Sequence, residues 1–369
     1  MARQAGWAGG GPGSSVGMRV VVIGATGNVG TSLLAALEAE PRVEAVTGIA
    51  RRVPDVPAPS KVTWAGADIA RDPLEPLLRG ADAVVHLAWL IQPSRDEARL
   101  HEVNVIGSQR VFEAAARAGV GTIVYASSIG AYAAGPKDRR VDESWSTAGI
   151  PTAFYSRHKA AVERILDAFE ATHAEVRVVR LRPGLIFKDE AASEIRRLFA
   201  GPFLPRALVR RGLVPIVPRT PGLAFQAVHS HDVAQAYRLA LLDENARGAY
   251  NVAAEPVLDA DTLGRLLGAR PVPIPAAVLR AAAHLTWRAR LQPTEPGWVD
   301  MGLGVPLMDI SRAREELGWE PHHGADEAFM ELFDGMRRGE GGATPPLAPG
   351  TGGPARVGEG AQGIGARNE

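Results

Sequence analysis

Short apolar runs alternate with longer amphipathic segments through the first half of this chain, and this alternation constrains the fold more than any other feature. The strand candidates are Arg19–Gly24, Val43–Ile49, Val62–Trp64, Ala83–Leu87, Thr122–Ser127 and Val176–Leu181, and helical patterns fall between them near 28–39, 73–79, 97–118 and 153–171. Strands joined through helices at this spacing lie parallel, with helices on both faces. The sequence therefore predicts an α/β fold built on a doubly wound parallel sheet.

The second half has a different character. After residue 182 the alternation stops, proline and glycine become frequent, and helical stretches recur as far as 338. We therefore predict a sheet domain over 18–185 and, over 186–338, a smaller mixed substrate-binding segment that partly returns to the sheet. The Gly-rich ends, 1–17 and 339–369, have little to bury and are expected to be disordered.

Composition excludes several classes of function. The 41 basic and 41 acidic residues balance, which argues against a whole-protein design for nucleic acid or an anionic membrane. The chain has no cysteine, so disulfides and thiolate chemistry are excluded. Residues 1–17 lack the apolar core of a secretory signal, and a cytoplasmic protein is expected. No metal site is predicted, because His229 and His231 have no third ligand at a useful spacing except Asp232.

A glycine-rich loop follows the first strand and opens the first helix. It reads Gly24-Ala-Thr-Gly27-Asn-Val-Gly30. Glycines allow a tight turn and a close backbone approach, and a helix N-terminus offers free N–H groups to a diphosphate. The spacing differs from the G-x-G-x-x-G fingerprint, but its position between a strand and a helix predicts a dinucleotide site of the Rossmann type.

The end of the second strand bears on which dinucleotide is bound. An acidic residue at this position binds the ribose of NAD, whereas arginine accommodates the 2′-phosphate of NADP. Here the strand ends in Arg51 and Arg52, with no acidic residue before Asp55. NADP is therefore favoured over NAD, the alternative being that both arginines are solvated loop charges.

A tyrosine and a lysine lie four residues apart in the helical pattern of 153–171. On a helix, Tyr155 and Lys159 share one face and can act on the same bound molecule. An ammonium beside a phenol favours the phenolate and lowers its pKa. The pair could therefore exchange a proton with a substrate hydroxyl or carbonyl. On its own the pair is a common coincidence.

Several segments in order give the chain its resemblance to a known family. They are the Gly24–Gly30 loop, Asp68-Ile69, Val85-His86-Leu87-Ala88, Asn104, Ser127-Ser128, Tyr155 with Lys159, Arg182-Pro183-Gly184, Val228-His229, Tyr250-Asn251-Val252 and Leu317-Gly318-Trp319. Over about 18–335, the chain resembles the extended short-chain dehydrogenases/reductases of the NAD-dependent epimerase/dehydratase family.

The resemblance implies roles for individual residues. Tyr155 would be the catalytic acid/base, Lys159 would lower its pKa and bind the nicotinamide ribose, and Ser128 would donate a hydrogen bond to the substrate oxygen. Whether Ser127 or Ser128 does this is a question of register, and Ser128 is preferred. The implied cofactor-binding residues are Gly24, Thr26, Gly27, Asn28, Val29, Gly30, Arg51, Arg52, Asp68, Ile69, Leu87, Ala88, Asn104, Lys159 and Pro183.

The sequence departs from the family where nucleotide-sugar members hold the substrate diphosphate. The expected arginine before the Val-His segment is missing from the aligned stretch Phe225-Gln226-Ala227. The predicted function is therefore an NAD(P)-dependent oxidoreductase that transfers a hydride at a hydroxyl or carbonyl carbon of a small molecule. The alternatives are a nucleotide-sugar epimerase or dehydratase, or a non-catalytic NAD(P)-binding sensor. The family often forms dimers, so a homodimer is possible.

Overall fold

The computed structural model describes residues 17–91, 95–196, 213–292 and 294–349 of the chain. The strands are β1 (Met18–Ile23), β2 (Val43–Ala50), β3 (Val62–Gly66), β4 (Ala83–His86), β5 (Thr122–Ala126), β6 (Arg140–Val141), β7 (Arg177–Pro183), β8 (Leu185–Phe187), β9 (Ile216–Arg219), β10 (Ala227–His229), β11 (Gly248–Val252), β12 (Arg270–Pro273) and β13 (Leu307–Met308). The helices are α1 (Asn28–Glu38), α2 (Glu75–Leu78), α3 (Glu97–His101), α4 (Gly107–Arg117), α5 (Phe154–Thr172), α6 (Ala192–Ile195), α7 (Ser230–Leu242), α8 (Ala260–Leu267), α9 (Ala276–Arg288), α10 (Gly297–Gly304), α11 (Ser311–Leu317) and α12 (Ala325–Arg338).

Seven parallel strands form the central sheet in the order β11-β7-β5-β4-β1-β2-β3. This confirms the predicted doubly wound fold. The chain moves outward in one direction from β1 to β3 and in the other from β4 to β11. Where the direction reverses, between β1 and β4, the connections leave on opposite faces and open a crevice at the carboxyl edge. Ligands of such sheets bind in this crevice.

The strands are apolar along their length because the sheet is covered on both sides. In β1, Val20 and Val22 pack into one core cluster, whereas Val21 and Ile23 pack into the other. Successive side chains of a strand point to opposite faces, so a strand buried on both faces needs a continuous apolar run. This is why the sequence predicted the strand positions closely.

The part of the chain after β7 both completes the sheet and builds a cover over it. Strand β11 pairs with β7 at the edge of the sheet, and the sequence did not predict it as a strand. Three two-stranded parallel ribbons, β8–β10, β9–β12 and β6–β13, connect the remaining segments. Within the described ranges, no helix combines the length and the apolar character needed to cross a bilayer.

Residues 339–349, here called the C-terminal strap, lie within the range that the sequence predicted to be disordered. In the structure they fold back onto the sheet domain. The Glu340 carbonyl accepts hydrogen bonds from the backbone and side chain of Ser193, and the Thr344 hydroxyl donates to the Thr26 carbonyl at 2.7 Å. Leu347 is 1% exposed. The chain therefore stays packed beyond the predicted boundary at 338, and the rest of the predicted tail lies outside the described residues.

Replacing Thr344 with valine should lower the free energy of unfolding by about 1–3 kcal/mol, because the buried Thr26 carbonyl would lose its donor. Urea denaturation measures the effect. The control is Thr172→Val, which removes an exposed hydroxyl bonded to two carbonyls of its own helix and to the ring of the adjoining His173, and should change stability by less than about 0.5 kcal/mol. Equal effects of both variants would show that the strap contact adds nothing.

Candidate active site

The loop between β1 and α1 has the shape that a dinucleotide diphosphate requires. Gly24 has a φ of +90°, and a Cβ there would lie 2.7 Å from the Ala88 nitrogen; at Gly30 it would collide with the Gly24 carbonyl oxygen. Gly27 is the N-cap of α1, so no side chain caps the helix, and its first turn carries no acidic residue. The N–H groups of Asn28 and Val29 are thus left for an anionic ligand. These residues fit a dinucleotide cofactor.

The end of β4 approaches this loop closely. Leu87 hydrogen-bonds through its N–H to the Ile23 carbonyl, and Ala88 lies against Gly24. Asn104 is fully buried, and its amide bonds both the N–H and the carbonyl of Leu90 at 2.7 and 3.0 Å. The side chain of Asn104 therefore holds the loop after β4 in place, and its predicted contribution to cofactor binding is indirect.

The adenosine end of the crevice contains a cluster of charges. Asp68 pairs with Arg99 at 2.9 Å, and Arg99 also pairs with Glu102. The exposed Arg51 lies within electrostatic reach of both Asp68 and Arg99. Sequence reasoning missed Arg99, although its position at the start of the helix after β4 could have suggested it. Ile69, beside Asp68, is buried in the core, so only its backbone can serve a ligand.

The two serines after β5 point to different partners. Ser127 donates to the buried carboxylate of Glu163 at 2.5 Å. Ser128 accepts a hydrogen bond from the Gly130 N–H at 3.0 Å, and it lies close enough to Tyr155 to lower the pKa of that phenol. Ser127 is thus engaged by the buried ion cluster, whereas Ser128 lies beside the tyrosine, and its role as the oxygen-binding serine stays a prediction.

Two residues that sequence reasoning did not single out fix this geometry. Gly130 lies against the Tyr155 ring so closely that a Cβ would come within 2.8 Å of it. Ser156 donates to the Gly130 carbonyl and accepts from the Ile150 N–H at 2.6 Å. These contacts tie the turn at 129–131 to the first turn of α5. They hold the hydroxyls of Ser128 and Tyr155 together.

Burial dominates the surroundings of both Tyr155 and Lys159. Burial raises the pKa of Tyr155 to about 12, and the hydrogen bond with Ser128 opposes this rise. The Lys159 ammonium is buried, donates to the Ala126 carbonyl at 2.6 Å and lies 3.5 Å from the centre of the Trp89 ring. Burial lowers the pKa of Lys159 well below its usual value. The phenol is therefore protonated and set to donate, and the lysine lies beside it rather than on its oxygen.

A buried ion cluster lies directly beneath these groups. The Glu163 carboxylate, 0% exposed, accepts from Arg180 at 2.9 Å and from Arg182 through two bonds of 2.9 and 3.0 Å. These bonds outweigh burial and lower the pKa of Glu163 to about 2. Arg180 and Arg182 lie near the carboxyl end of β7, which ends at Pro183. The cluster therefore anchors the end of β7 at the edge of the sheet where the crevice opens.

On the substrate side, the described side chains of Phe225 and Gln226 do not take the place of the missing arginine. Phe225 forms a bridge with Leu258 and packs against an apolar core cluster. The Gln226 amide bonds the backbone of Met308 in both directions. Of the nearby arginines, Arg219 pairs with Asp261, whereas Arg197, Arg206, Arg210 and Arg211 lie outside the described residues. No described group thus takes the place of the diphosphate-binding arginine in this stretch.

A glycine-rich dinucleotide loop with a Ser-Tyr-Lys group at the same edge of a parallel sheet defines a short-chain dehydrogenase-type protein. The model of the NAD dependent epimerase/dehydratase family matches residues 20–253, and the chain belongs to this family. This confirms the predicted family.

Three similar proteins illustrate the relationship. An uncharacterized protein of Mycobacterium tuberculosis is 30% identical over 323 residues, which are 87% of this chain but only 30% of that protein. Sterol demethylase protein B of Methylococcus capsulatus is 35% identical over 158 residues, or 41% of this chain and 47% of that protein. UDP-glucose 4-epimerase of Thermus thermophilus, solved with NAD, shares the fold with a TM-score of 0.64 at 23% identity, covering 87% of this chain and 99% of that one.

Proposed function

We propose that the protein is an NADP-dependent oxidoreductase acting at a hydroxyl or carbonyl carbon of a small molecule. The observation that carries this proposal is the placement of Ser128 and Tyr155 together, with Gly130 bonded to the Ser128 hydroxyl and packed against the Tyr155 ring. The pair lies at the carboxyl edge of the sheet, the same edge as the Gly24–Gly30 loop. A proton donor and an oxygen-binding group therefore face the crevice in which a dinucleotide would bind.

The residues divide the chemistry between them. When bound, the nicotinamide supplies or accepts the hydride. In reduction, Tyr155 gives its proton to the carbonyl oxygen that gains the hydride at its carbon; in oxidation, the hydroxyl proton returns to Tyr155. Ser128 stabilises the charge that develops on that oxygen. Lys159 holds the end of β5 through the Ala126 carbonyl and lies beside the site.

A nucleotide-sugar epimerase is the alternative that the fold of the Thermus enzyme supports. The packing of Phe225 and Gln226 argues against it, since neither side chain can bind a diphosphate. A sensor that binds the cofactor without turnover would keep the loop but would not need the Ser128–Tyr155 contact.

Titration of the purified protein with NADPH and NADH, followed by nicotinamide fluorescence, tests the proposal. We expect both to bind, and NADPH to bind more tightly. Absence of binding by either would overturn every enzymatic interpretation. Binding without turnover across aldehydes, ketones, alcohols and nucleotide sugars would favour the sensor.

Changing both Arg51 and Arg52 to serine should weaken NADPH binding about 10- to 100-fold, because a 2′-phosphate would lose charge-assisted hydrogen bonds. NADH affinity should change by less than about threefold, since NADH lacks that phosphate. Fluorescence titration of both cofactors provides the measurement. Arg79→Ser, which removes an exposed arginine paired with Glu75, is the matched control and should affect neither cofactor. Tighter NADH than NADPH binding by the unaltered protein would contradict the assignment.

A further inference from the structure

Large apolar side chains surround the Tyr155 ring. The Trp298 indole lies 5.2 Å from it between ring centres, tilted by 38°, and the Trp89 indole lies 5.9 Å away, edge-on at 72°. Met301, one turn after Trp298 on α10, places its sulfur beside Gly130, which itself contacts the Tyr155 ring. Tyr155 and both tryptophans are only partly buried, so a ligand can reach them.

Several polar groups near the tyrosine already have specific partners, whereas the buried Trp89 indole N–H has no hydrogen-bond partner among the described residues. Lys159 is held by the Ala126 carbonyl and the Trp89 ring, and Ser128 by Gly130 and Tyr155. Lys137, on the loop that meets α10, donates to the carbonyls of Ala224 and Gly302. Next to Trp298, the Glu295 carboxylate accepts a hydrogen bond from the Phe154 N–H, and its negative charge would repel a phosphate.

The apolar surface formed by Trp89, Trp298 and Met301, here called the tryptophan wall, suits an apolar ring compound better than a sugar. A sugar would bring several hydroxyls against indole and thioether surfaces, and beyond the one that the Trp89 indole N–H could bind, these hydroxyls would lose their water without gaining a partner. A flat apolar ring would instead stack on the indoles and leave a single oxygen for Ser128 and Tyr155.

We propose that the site takes a flat, uncharged ring compound bearing a secondary alcohol or a ketone, held between Trp89 and Trp298. This inference rests on the proposed oxidoreductase function and names its substrate class. In oxidation the carbinol C–H bond would break and its hydride would pass to a bound oxidised nicotinamide, while the hydroxyl proton would pass to Tyr155 after the phenol had released its own proton to solvent. Reduction of the ketone reverses each of these transfers.

The experiment uses the protein saturated with NADP for the alcohol androsterone and with NADPH for the ketone tetralone, the two ring probes, and UDP-glucose is the competing class. Binding of the ring probes is followed by quenching of tryptophan fluorescence, and turnover by absorbance of the reduced nicotinamide. Because an epimerase returns its hydride, UDP-glucose is also assayed by chromatography for epimerised product. We expect kcat/KM for a ring probe to exceed that for UDP-glucose by at least about 100-fold.

Variants separate the tryptophan wall from a general loss of structure. Trp298→Ala should raise the Kd and KM of the ring probe at least about tenfold with a smaller change in kcat, and Trp298→Phe should restore most of the affinity. Trp145→Ala is the matched control, because that indole packs on Gly135 and donates to the Ala133 carbonyl. Its values should stay within about threefold of the unaltered protein.

Three results would overturn the proposal. They are ring-probe binding that is absent, ring-probe binding that Trp298→Ala leaves unchanged, and preferred turnover of UDP-glucose. The last would still leave a cofactor-dependent enzyme. Failure of NADPH and NADH to bind would instead remove the proposed function itself, so the two failures are distinguishable.

Discussion

Tyr155→Phe should lower kcat/KM by about 10²- to 10⁴-fold while leaving NADPH affinity within about twofold of the unaltered protein. The substitution removes the proton that Tyr155 transfers but keeps the ring that packs on Gly130 and Trp298. Steady-state kinetics on any accepted substrate, with fluorescence titration of NADPH, measures the two effects separately.

The matched control for this variant is Tyr250→Phe, which removes a phenol hydroxyl bonded to Glu316 and away from Ser128. Its activity should be close to that of the unaltered protein. Full activity of Tyr155→Phe would remove this residue from the chemistry and leave the crevice without a described proton donor bonded to Ser128.

The largest effect on stability is expected at Glu163. Replacing this glutamate with alanine should lower the free energy of unfolding by about 3–5 kcal/mol, because Arg180 and Arg182 would keep their buried charges without their shared carboxylate. Glu163→Gln keeps the size of the side chain but removes its charge, and it should also be destabilising. Comparing the two variants therefore separates the effect of lost charge from the effect of lost volume. The midpoint of urea unfolding gives the size of each loss.

The same carboxylate makes stability depend on pH. The pKa of Glu163 falls from 4.5 to about 2 on folding. Its contribution to the free energy of unfolding is therefore fully present above pH 4.5 and is lost as the pH falls toward 2. Thermal unfolding between these values should show a steeper loss in the unaltered protein than in Glu163→Gln. Glu113→Ala, which removes an exposed partner of Arg117, should cost less than about 1 kcal/mol and keep the acid response.

The sheet was readily predicted because its strands are buried on both faces and bounded by turn-forming residues. Met18–Ile23 and Thr122–Ala126 were placed to within a residue or two. The edge strand Gly248–Val252 was not predicted, because Gly-Ala-Tyr-Asn-Val lacks a strong apolar run and its pairing with β7 spans a long stretch of chain. Because side chains alternate along a strand, consecutive serines face opposite ways, but alternation alone does not indicate which of Ser127 and Ser128 meets Tyr155.

The sequence indicated which types of residue form the candidate site, but it was less successful in predicting which residues contact one another. Lys159 was expected on the tyrosine and lies instead on Trp89, which sequence reasoning did not single out. Glu163 could have been suspected, since it lies one turn after Lys159 on α5 and faces two arginines that alternate along a buried strand. Such partners depend on which elements the fold brings together, and local patterns do not encode this.

The contact between Thr344 and Thr26 also bears on how the protein is made. The two residues are 318 positions apart, so a ribosome adding about 5–20 residues per second needs roughly 16–64 s to supply the second after the first. During translation the glycine loop therefore exists for many seconds without its last described support. A nascent chain that stops before residue 344 would lack the hydrogen bond from Thr344 to the glycine loop, and only synthesis through the C-terminal strap supplies it.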